Sequence, residues 1–510
     1  MPELLRVALV TEHAGYLPFI IGLGELLAGT GEVAPSVLLC RDDIPEPSLP
    51  WPLHRLSERA PDLPRGDYDW DDLTGFERRS LAGMENYFAG RYGDAARALA
   101  AETERCLAAH LVDCVVVWSG TRLNSRTVAA AARAMGVAVV TLETPFFPRL
   151  PGMPAESPGL TLPDGYTLRV MVWDRVCGPQ TGPSQITEEW AAAQVAPDLH
   201  VFLRELQESR QSKFNAADIS RITTGQQGGG QAETGSLVRP EGHRVLLACG
   251  QLDWDSSLYY GEAVVNGWEM MVNEAAARLP RGWVLWFKAH PLDMSYRMKG
   301  EEFAADLARR HPGCRCLPPT MNIHAAIQAA DAVLCINSTV GLEATTYGKP
   351  VVNLGTGFYV RAGFTRRVER LEDLGEIIRA LPARLVKEDE ERRDRFLSYL
   401  LYHYLIPVGR PDLALARIRE AIARKPAART PQGEEPPEQR AARLAGQVQA
   451  WADYVRRSEA DPGERLVSQL TTRVRYLEGL LAQVTSRRLY RWCDRLARGI
   501  RRLLPGGSRR

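Results

Sequence analysis

Short apolar runs that stop abruptly at Gly, Ser or an acid alternate with longer helical patterns, and the alternation occurs twice along the chain. A run such as Val112–Trp118, closed by Ser119-Gly120, is apolar on both faces and suits a strand buried within a parallel sheet. Arg6–Val10 and Ser36–Leu39 read as earlier strands and Val137–Leu142 as a later one. Helical patterns lie between them at Phe19–Leu27, from about Phe76 to His110, and at Ser125–Met135. Residues 41–75, rich in Pro and Asp, read as a long loop. This rhythm predicts a doubly wound parallel sheet.

The rhythm restarts after a Gly- and Gln-rich stretch at 223–237, which has the composition of a linker or surface loop. Strands are expected at Arg244–Ala248, Trp283–Phe287, Cys314–Leu317, Ala332–Ile336 and Pro350–Leu354. Helices are expected at Gly261–Ala277, Gly300–Arg310, Ile323–Ala330 and Val340–Tyr347. A chain of 510 residues is too long for one core at roughly 150 residues per domain. The expected organisation is a Rossmann-like domain over 1–222, a linker at 223–240 and a second Rossmann-like domain over 241–375. A helical segment at 376–424, a Pro- and charge-rich link with a helix at 425–462, and a C-terminal extension at 463–510 follow. Ligands should sit at the strand C-terminal ends, in the cleft between the two halves.

Composition excludes several classes. The 45% apolar and 25% charged content is that of a globular protein, and not of a fibrous or wholly disordered one. Lys and Arg number 63 against 62 Asp and Glu, so bulk charge does not attract a polyanion, and nucleic acid is not an expected partner. No apolar run reaches the ~20 residues of a membrane-spanning helix, and the Arg6-interrupted N-terminus reads as a strand and not a leader. Nine unpatterned cysteines fit reduced thiols in a cytoplasmic protein. Cys314-Arg315-Cys316 has no second ligand cluster beside it in sequence, and no metal site is expected.

The C-terminal extension carries two patterns. Val467, Leu470, Val474, Leu477, Leu481 and Val484 form a heptad-like seam suited to a short coiled coil or helical hairpin, and so to self-association. From Thr485 to Arg510 nine Arg face one Asp, with Leu489, Trp492, Leu496, Ile500 and Leu503 at helical spacing. Such a helix can lie on an anionic membrane, here the inner membrane face, or dock on the protein's own surface with its Arg face solvated.

Four segments place polar groups at the ends of expected strands. Gly250-Gln251-Leu252-Asp253-Trp254-Asp255-Ser256-Ser257 brings acids that can stabilise or attack an oxocarbenium-like centre, or cap a helix. Lys288-Ala289-His290-Pro291 alternates Lys288 and His290 at a strand end, either an anion-binding pair or an exposed lysine with a capping histidine. Ser338-Thr339-Val340-Gly341-Leu342-Glu343-Ala344 opens a helix whose N-terminal N–H groups suit a phosphate, with Gly341 admitting close backbone approach. Glu343 is expected in its first turn. Glu143-Thr144-Pro145 ends a strand of the first half, as a cleft-edge acid or a simple loop.

From Val112 to Thr365 the constellation resembles the capsular polysaccharide synthesis proteins, bacterial retaining β-Kdo transferases that use CMP-Kdo. The segments at Gly250–Ser257, Lys288–Pro291 and Ser338–Ala344 carry the likeness, with Gly348-Lys349-Pro350-Val351-Val352 and Gly357-Phe358-Tyr359-Val360-Arg361-Ala362-Gly363-Phe364-Thr365 behind them. The resemblance implies an α/β, GT-B-like fold of two Rossmann-like domains facing across a cleft. It implies Asp255 as carboxylate nucleophile, Glu143 as the acid/base at the acceptor hydroxyl, and Lys288 and His290 on the donor's phosphate and carboxylate. Gln251, Ser338, Thr339, Gly341 and Glu343 would hold the remainder of the donor. No metal or other cofactor is implied, since CMP is a good leaving group. The implied function is transfer of Kdo or a related 2-keto-3-deoxy sugar from CMP to a capsular or surface glycan. A CMP-sialic acid-type transferase, a nucleotide-sugar 2-epimerase, and a non-catalytic capsule-assembly or export protein are the alternatives.

Overall fold

The computed structural model describes most of residues 4–424. Residues 75–84, 175–187, 211–236, several shorter stretches including Asp253, Trp254 and Ser256, and all of 425–510 lie outside the described residues. The expected linker is therefore mostly outside them, and the Pro-rich link, coiled coil and basic tail entirely so.

In chain order the first half runs β1 (Leu5–Thr11), α1 (Leu17–Ala28), β2 (Val33–Leu39), β3 (Leu53–Arg55), α2 (Glu85–His110), β4 (Cys114–Trp118), α3 (Leu123–Ala134), β5 (Ala138–Glu143), β6 (Val170–Asp174) and α4 (Leu199–Ser209). The second runs β7 (Arg244–Cys249), α5 (Trp268–Ala277), β8 (Trp283–Lys288), α6 (Met294–Arg310), β9 (Cys314–Leu317), α7 (Ile323–Ala329), β10 (Ala332–Cys335), α8 (Thr339–Thr346), β11 (Val351–Asn353) and β12 (Arg366–Arg367). It continues through α9 (Leu374–Arg379), α10 (Lys387–Tyr399), a π-helical turn at Leu400–Tyr404, β13 (Leu405–Pro407) and α11 (Pro411–Ala423).

The second sheet has the order β9-β8-β7-β10-β11-β12, all parallel, which is the Rossmann order. The first has the order β13-β6-β5-β4-β1-β2-β3, in which β1 to β5 are parallel and β6 and β13 are antiparallel additions. Both halves are thus Rossmann-like and doubly wound. Two-residue periodicity divides each sheet between two cores. In the first, Val7, Leu9, Val116 and Val140 meet Phe19, Ile20 and Leu23 of α1, while Ala8, Val10, Val115 and Val117 meet α2 and α3. In the second, Leu246, Leu285, Phe287 and Leu334 meet Trp268 and Met271, while Leu247, Trp286 and Val333 meet α7 and α8.

A third core joins the halves. Phe146, Phe147 and Val172 pack with Tyr359 and Phe364 and with Phe396, Leu397 and Leu400 of the returning chain. That return is the main departure from expectation. The stretch 376–424, expected to be helical, also supplies β13, whose Leu405 pairs with Val172 at the far edge of the first sheet. Residues 41–75, expected as loop, include β3, paired in parallel with β2. The helix expected from Gly261 starts at Trp268. At Gly261 a side chain would meet the Ser257 carbonyl oxygen at 2.5 Å, so the segment before Trp268 is packed loop. No helix among the described residues is long and apolar enough to cross a membrane.

Candidate functional site

In a Rossmann order the direction of strand addition reverses between the first and fourth strands, and the crevice beyond their C-terminal ends is open to a ligand. In the second sheet these strands are β7 and β10, which run out into Gly250-Gln251 and Ile336-Asn337-Ser338. The two exits are tied together. Gln251 Nε2 donates to Asn337 Oδ1 and to Ser257 Oγ, both at 2.7 Å, and Ser257 Oγ donates to Asn337 Oδ1 at 3.2 Å. Asn337 Nδ2 in turn donates to the carbonyls of Ser257 at 2.7 Å and Thr356 at 3.1 Å. One buried amide therefore locks three loops at the mouth of the crevice. Asn337 stands inside the motif read from sequence, but its role as a hub has no signature there.

Asp255 is half-buried beside this hub. Its Oδ1 accepts the Ser257 N–H at 2.9 Å, so the carboxylate caps the short turn that presents Ser257. The capping reading of this acid is thus realised, on one oxygen.

Ser338 caps α8, its Oγ accepting the Val340 N–H at 3.3 Å. The Ser338 carbonyl accepts the Tyr359 hydroxyl at 2.7 Å, and Tyr359 accepts from Asn353 Nδ2 at 2.8 Å. Tyr359 is wholly buried, which raises its phenol well above its ordinary value and keeps it a proton donor. A Cβ at Gly341 would overlap the Tyr359 hydroxyl and lie 2.9 Å from Cys335 Sγ. The glycine makes room for the tyrosine that fixes Ser338. Thr339 is the first residue of α8 and is half-buried. Glu343 is its fifth residue, so it lies in the second turn and not the first, and it is buried.

Lys288 also differs from expectation. It is only 6% exposed, and its ammonium donates to the Pro319 carbonyl at 3.0 Å. Burial depresses it to about 8, against the opposing pull of the Cys249 and Glu343 groups nearby. The result is a mostly charged cation held inside the second half, in the field of Glu343. His290 is half-buried past the end of β8, and its Nδ1 accepts the Leu292 N–H at 3.2 Å, which leaves the ring proton of the neutral form on Nε2. Gly250 lets the two strand exits close up, since a Cβ there would lie 3.0 Å from the His290 nitrogen.

Glu143 ends β5 in the other half. Its Oε1 accepts from the Thr144 N–H at 3.0 Å and the Thr144 hydroxyl at 3.3 Å. Three residues on, Phe146 stacks on Phe358 with ring centroids 3.9 Å apart. Phe358 adjoins Gly357, whose Cβ position lies 3.4 Å from Asn337 Cβ. The loops after β5, β7, β10 and β11 thus converge. A further acid, not singled out from sequence, lies at the first sheet's own reversal between β1 and β4. Glu12 Oε2 accepts the Ser125 N–H at 3.2 Å, beside Ser119 in a left-handed conformation (φ 58). Its signal was an acid directly after the first strand.

An open, mixed-charge depression of about 430 Å³, lined by His200, Tyr347, Arg384, Lys387, Glu391 and Asp394, lies at the other end of α8 from Ser338. The chemistry-bearing segments do not line it.

Residues 205–380 match the family described as capsule polysaccharide biosynthesis protein. The match covers 176 of the 510 residues. The matched segment holds the whole second sheet and every singled-out residue except Glu143. Over 142 residues the chain is 28% identical to the capsule polysaccharide modification protein LipA of Neisseria meningitidis serogroup A, covering 28% of this chain and 19% of that protein. Over 92 residues it is 40% identical to the protein FixF of Sinorhizobium fredii, covering 18% and 22%. The chain thus spans about a fifth of the length of these relatives. Among solved structures, the β-Kdo 2,7 transferase KpsC of Thermosulfurimonas dismutans is 17% identical, with 64% of this chain and 89% of that one covered and a TM-score of 0.37.

Proposed function

We propose that the protein is a glycosyltransferase of capsule or surface-polysaccharide synthesis that takes its sugar from a nucleotide donor. The observation that carries this is the Gln251–Asn337–Ser257 lock at the strand reversal of the matched segment, with the Ser338-capped N-terminus of α8 beside it. Convergent N–H groups and a helix dipole there favour an anionic nucleotide. The buried charge of Lys288 adds to that field.

The finer reading rests on the motif resemblance. The donor is a CMP-linked 2-keto-3-deoxy sugar, Kdo or a relative, and the reaction is a retaining double displacement. Asp255 Oδ2 attacks the anomeric carbon as the bond to the phosphate oxygen breaks, and CMP leaves with the electron pair. The acceptor hydroxyl then attacks the same carbon, Glu143 takes its proton and the Asp255 carboxylate departs. His290 holds the donor through Nε2, and Gln251, Ser338, Thr339 and Glu343 line its nucleotide end. Gly341 serves by admitting Tyr359. The basic stretch 485–510 would keep the enzyme on an anionic membrane where the acceptor grows, and 467–484 would pair copies.

The test is thermal unfolding against CMP-, UDP-, GDP- and CDP-linked sugars, followed by a CMP-release assay with CMP-Kdo and CMP-sialic acid. A donor at hundredfold excess over its dissociation constant should stabilise the fold by about 2.7 kcal/mol. Stabilisation by CMP-Kdo with acceptor-dependent CMP release is the expected result. A response to UDP-sugars with acceptor-free turnover would favour an epimerase, and no response to any donor a non-catalytic assembly protein.

A further inference from the structure

A second cluster lies at the β3 edge of the first sheet, outside the segments described above. His54 is the middle residue of the edge strand β3, where it pairs with Leu38. Cys106 and His110 are four residues apart on the last turns of α2 and so share one face of that helix. The helix stops at once, because Leu111 takes a left-handed conformation (φ 49) and leaves His110 on the terminal turn. The two imidazoles stack with centroids 3.8 Å apart, and one ligand atom from each of His54, Cys106 and His110 lies within 4.8 Å of the other two.

We propose that His54, Cys106 and His110 form a metal site for Zn(II) or a similar borderline-soft divalent ion, clamping the edge strand to the end of α2. The donor set is the argument. One sulfur and two imidazole nitrogens suit zinc and its neighbours, and exclude magnesium and calcium, which take oxygen. In a tetrahedral zinc site, bonds of about 2.0–2.3 Å put ligand atoms about 3.3–3.8 Å apart. Ligation requires the two imidazoles to unstack so that their in-plane lone pairs converge on the ion, while the ligand atoms draw together by about an ångström. The surroundings favour it too. Cys106 Sγ sits at the margin of the core formed by Leu38, Leu56 and Leu107, while His110 is exposed. The ion would therefore have a dry side and one position open to water, at the negative end of the 26-residue helix dipole. Binding releases the thiol proton to solvent and leaves a thiolate and two neutral imidazoles on the ion.

The test uses the full-length untagged protein, stripped with chelator and titrated with Co(II), then with competing Zn(II). The expected result is one ion per chain, a thiolate-to-cobalt charge-transfer band displaced by Zn(II), and a rise in melting temperature with Zn(II). Cys106→Ser should abolish the band. His110→Gln alters an exposed residue and should leave the metal-free melting temperature unchanged while weakening affinity at least about tenfold, since even an outer partner of a ligand is worth about 10–100-fold. A wild-type protein without the band, or equal affinity in His110→Gln, would overturn the proposal. The sugar-transfer assay plays no part in it, so the two readings fail separately.

Discussion

Gln251 and Asn337, 86 residues apart in sequence, meet through a 2.7 Å hydrogen bond that joins the exits of the first and fourth strands of the second sheet. The bond sits where a Rossmann sheet opens toward a ligand, so the stiffness of that opening depends on Asn337 meeting several partners at once. Asn337→Ala strips a donor from the Ser257 and Thr356 carbonyls and an acceptor from Gln251. Leaving more than one buried polar group unpaired should cost roughly 2–4 kcal/mol, read as a lowered urea midpoint. Donor-induced stabilisation should vanish with it. A variant that unfolds like wild type would show that the lock is incidental.

The nucleophilic role proposed for Asp255 is separable from its observed cap on the Ser257 N–H. Asp255→Asn keeps a side-chain oxygen for the Ser257 N–H but has no nucleophilic carboxylate, so stability should hold while sugar transfer is lost. Asp255→Ala should lose transfer and also about 0.5–2 kcal/mol of stability from the missing cap. Transfer persisting in Asp255→Asn would remove this residue as nucleophile.

Gly341 and Tyr359 should be strongly coupled. Gly341→Ala forces its methyl into the tyrosine hydroxyl and should destabilise by about 1–3 kcal/mol. Tyr359→Phe gives up the bond to the Ser338 carbonyl but relieves part of that overlap. In a double-mutant cycle the two changes together should cost at least about 0.5 kcal/mol less than their sum. Strict additivity would mean that the methyl is accommodated elsewhere.

Lys288 supplies a pH signature. Its folded value, about 8, lies below the ordinary 10.5, so between these the unfolded chain binds more protons than the folded one. Stability therefore rises with pH across that window, and below it the buried charge costs up to about 3 kcal/mol. Lys288→Met should flatten the rise and be no less stable than wild type at pH 7. It should also lose donor affinity, and because wild type gives up its Lys288 cation as pH passes about 8, kcat/KM should fall there in wild type only. Identical pH profiles in the two proteins would exclude Lys288 from the donor site.

Much of the fold was legible because it rests on local pattern. The buried strands β4, β7, β8 and β10 read as continuous apolar runs, and the Ser338 cap has the side-chain chemistry that starts helices. Edge elements were not. β3 and β13 are three residues each, and β13 carries nothing that marks it as returning to a strand some 230 residues earlier. Gly341 reads from sequence as a place of close backbone approach, whereas its packing against Tyr359, eighteen residues further on, has no local signal. In the proposed metal cluster, the four-residue spacing of Cys106 and His110 was visible, whereas His54 joins them only through the register of β3 on β2.

The amino-acid sequence alone determined the two rounds of strand and helix, the polar segments at strand ends and the helix that Ser338 opens. Each of these follows from the periodicity and hydrogen-bonding habits of neighbouring residues. Only the tertiary structure decided that Lys288 is buried near Glu343, that Asn337 holds three loops, and that the chain returns to complete the first sheet. Those outcomes depend on which distant surfaces exclude water from one another, and desolvation is a property of the packed whole.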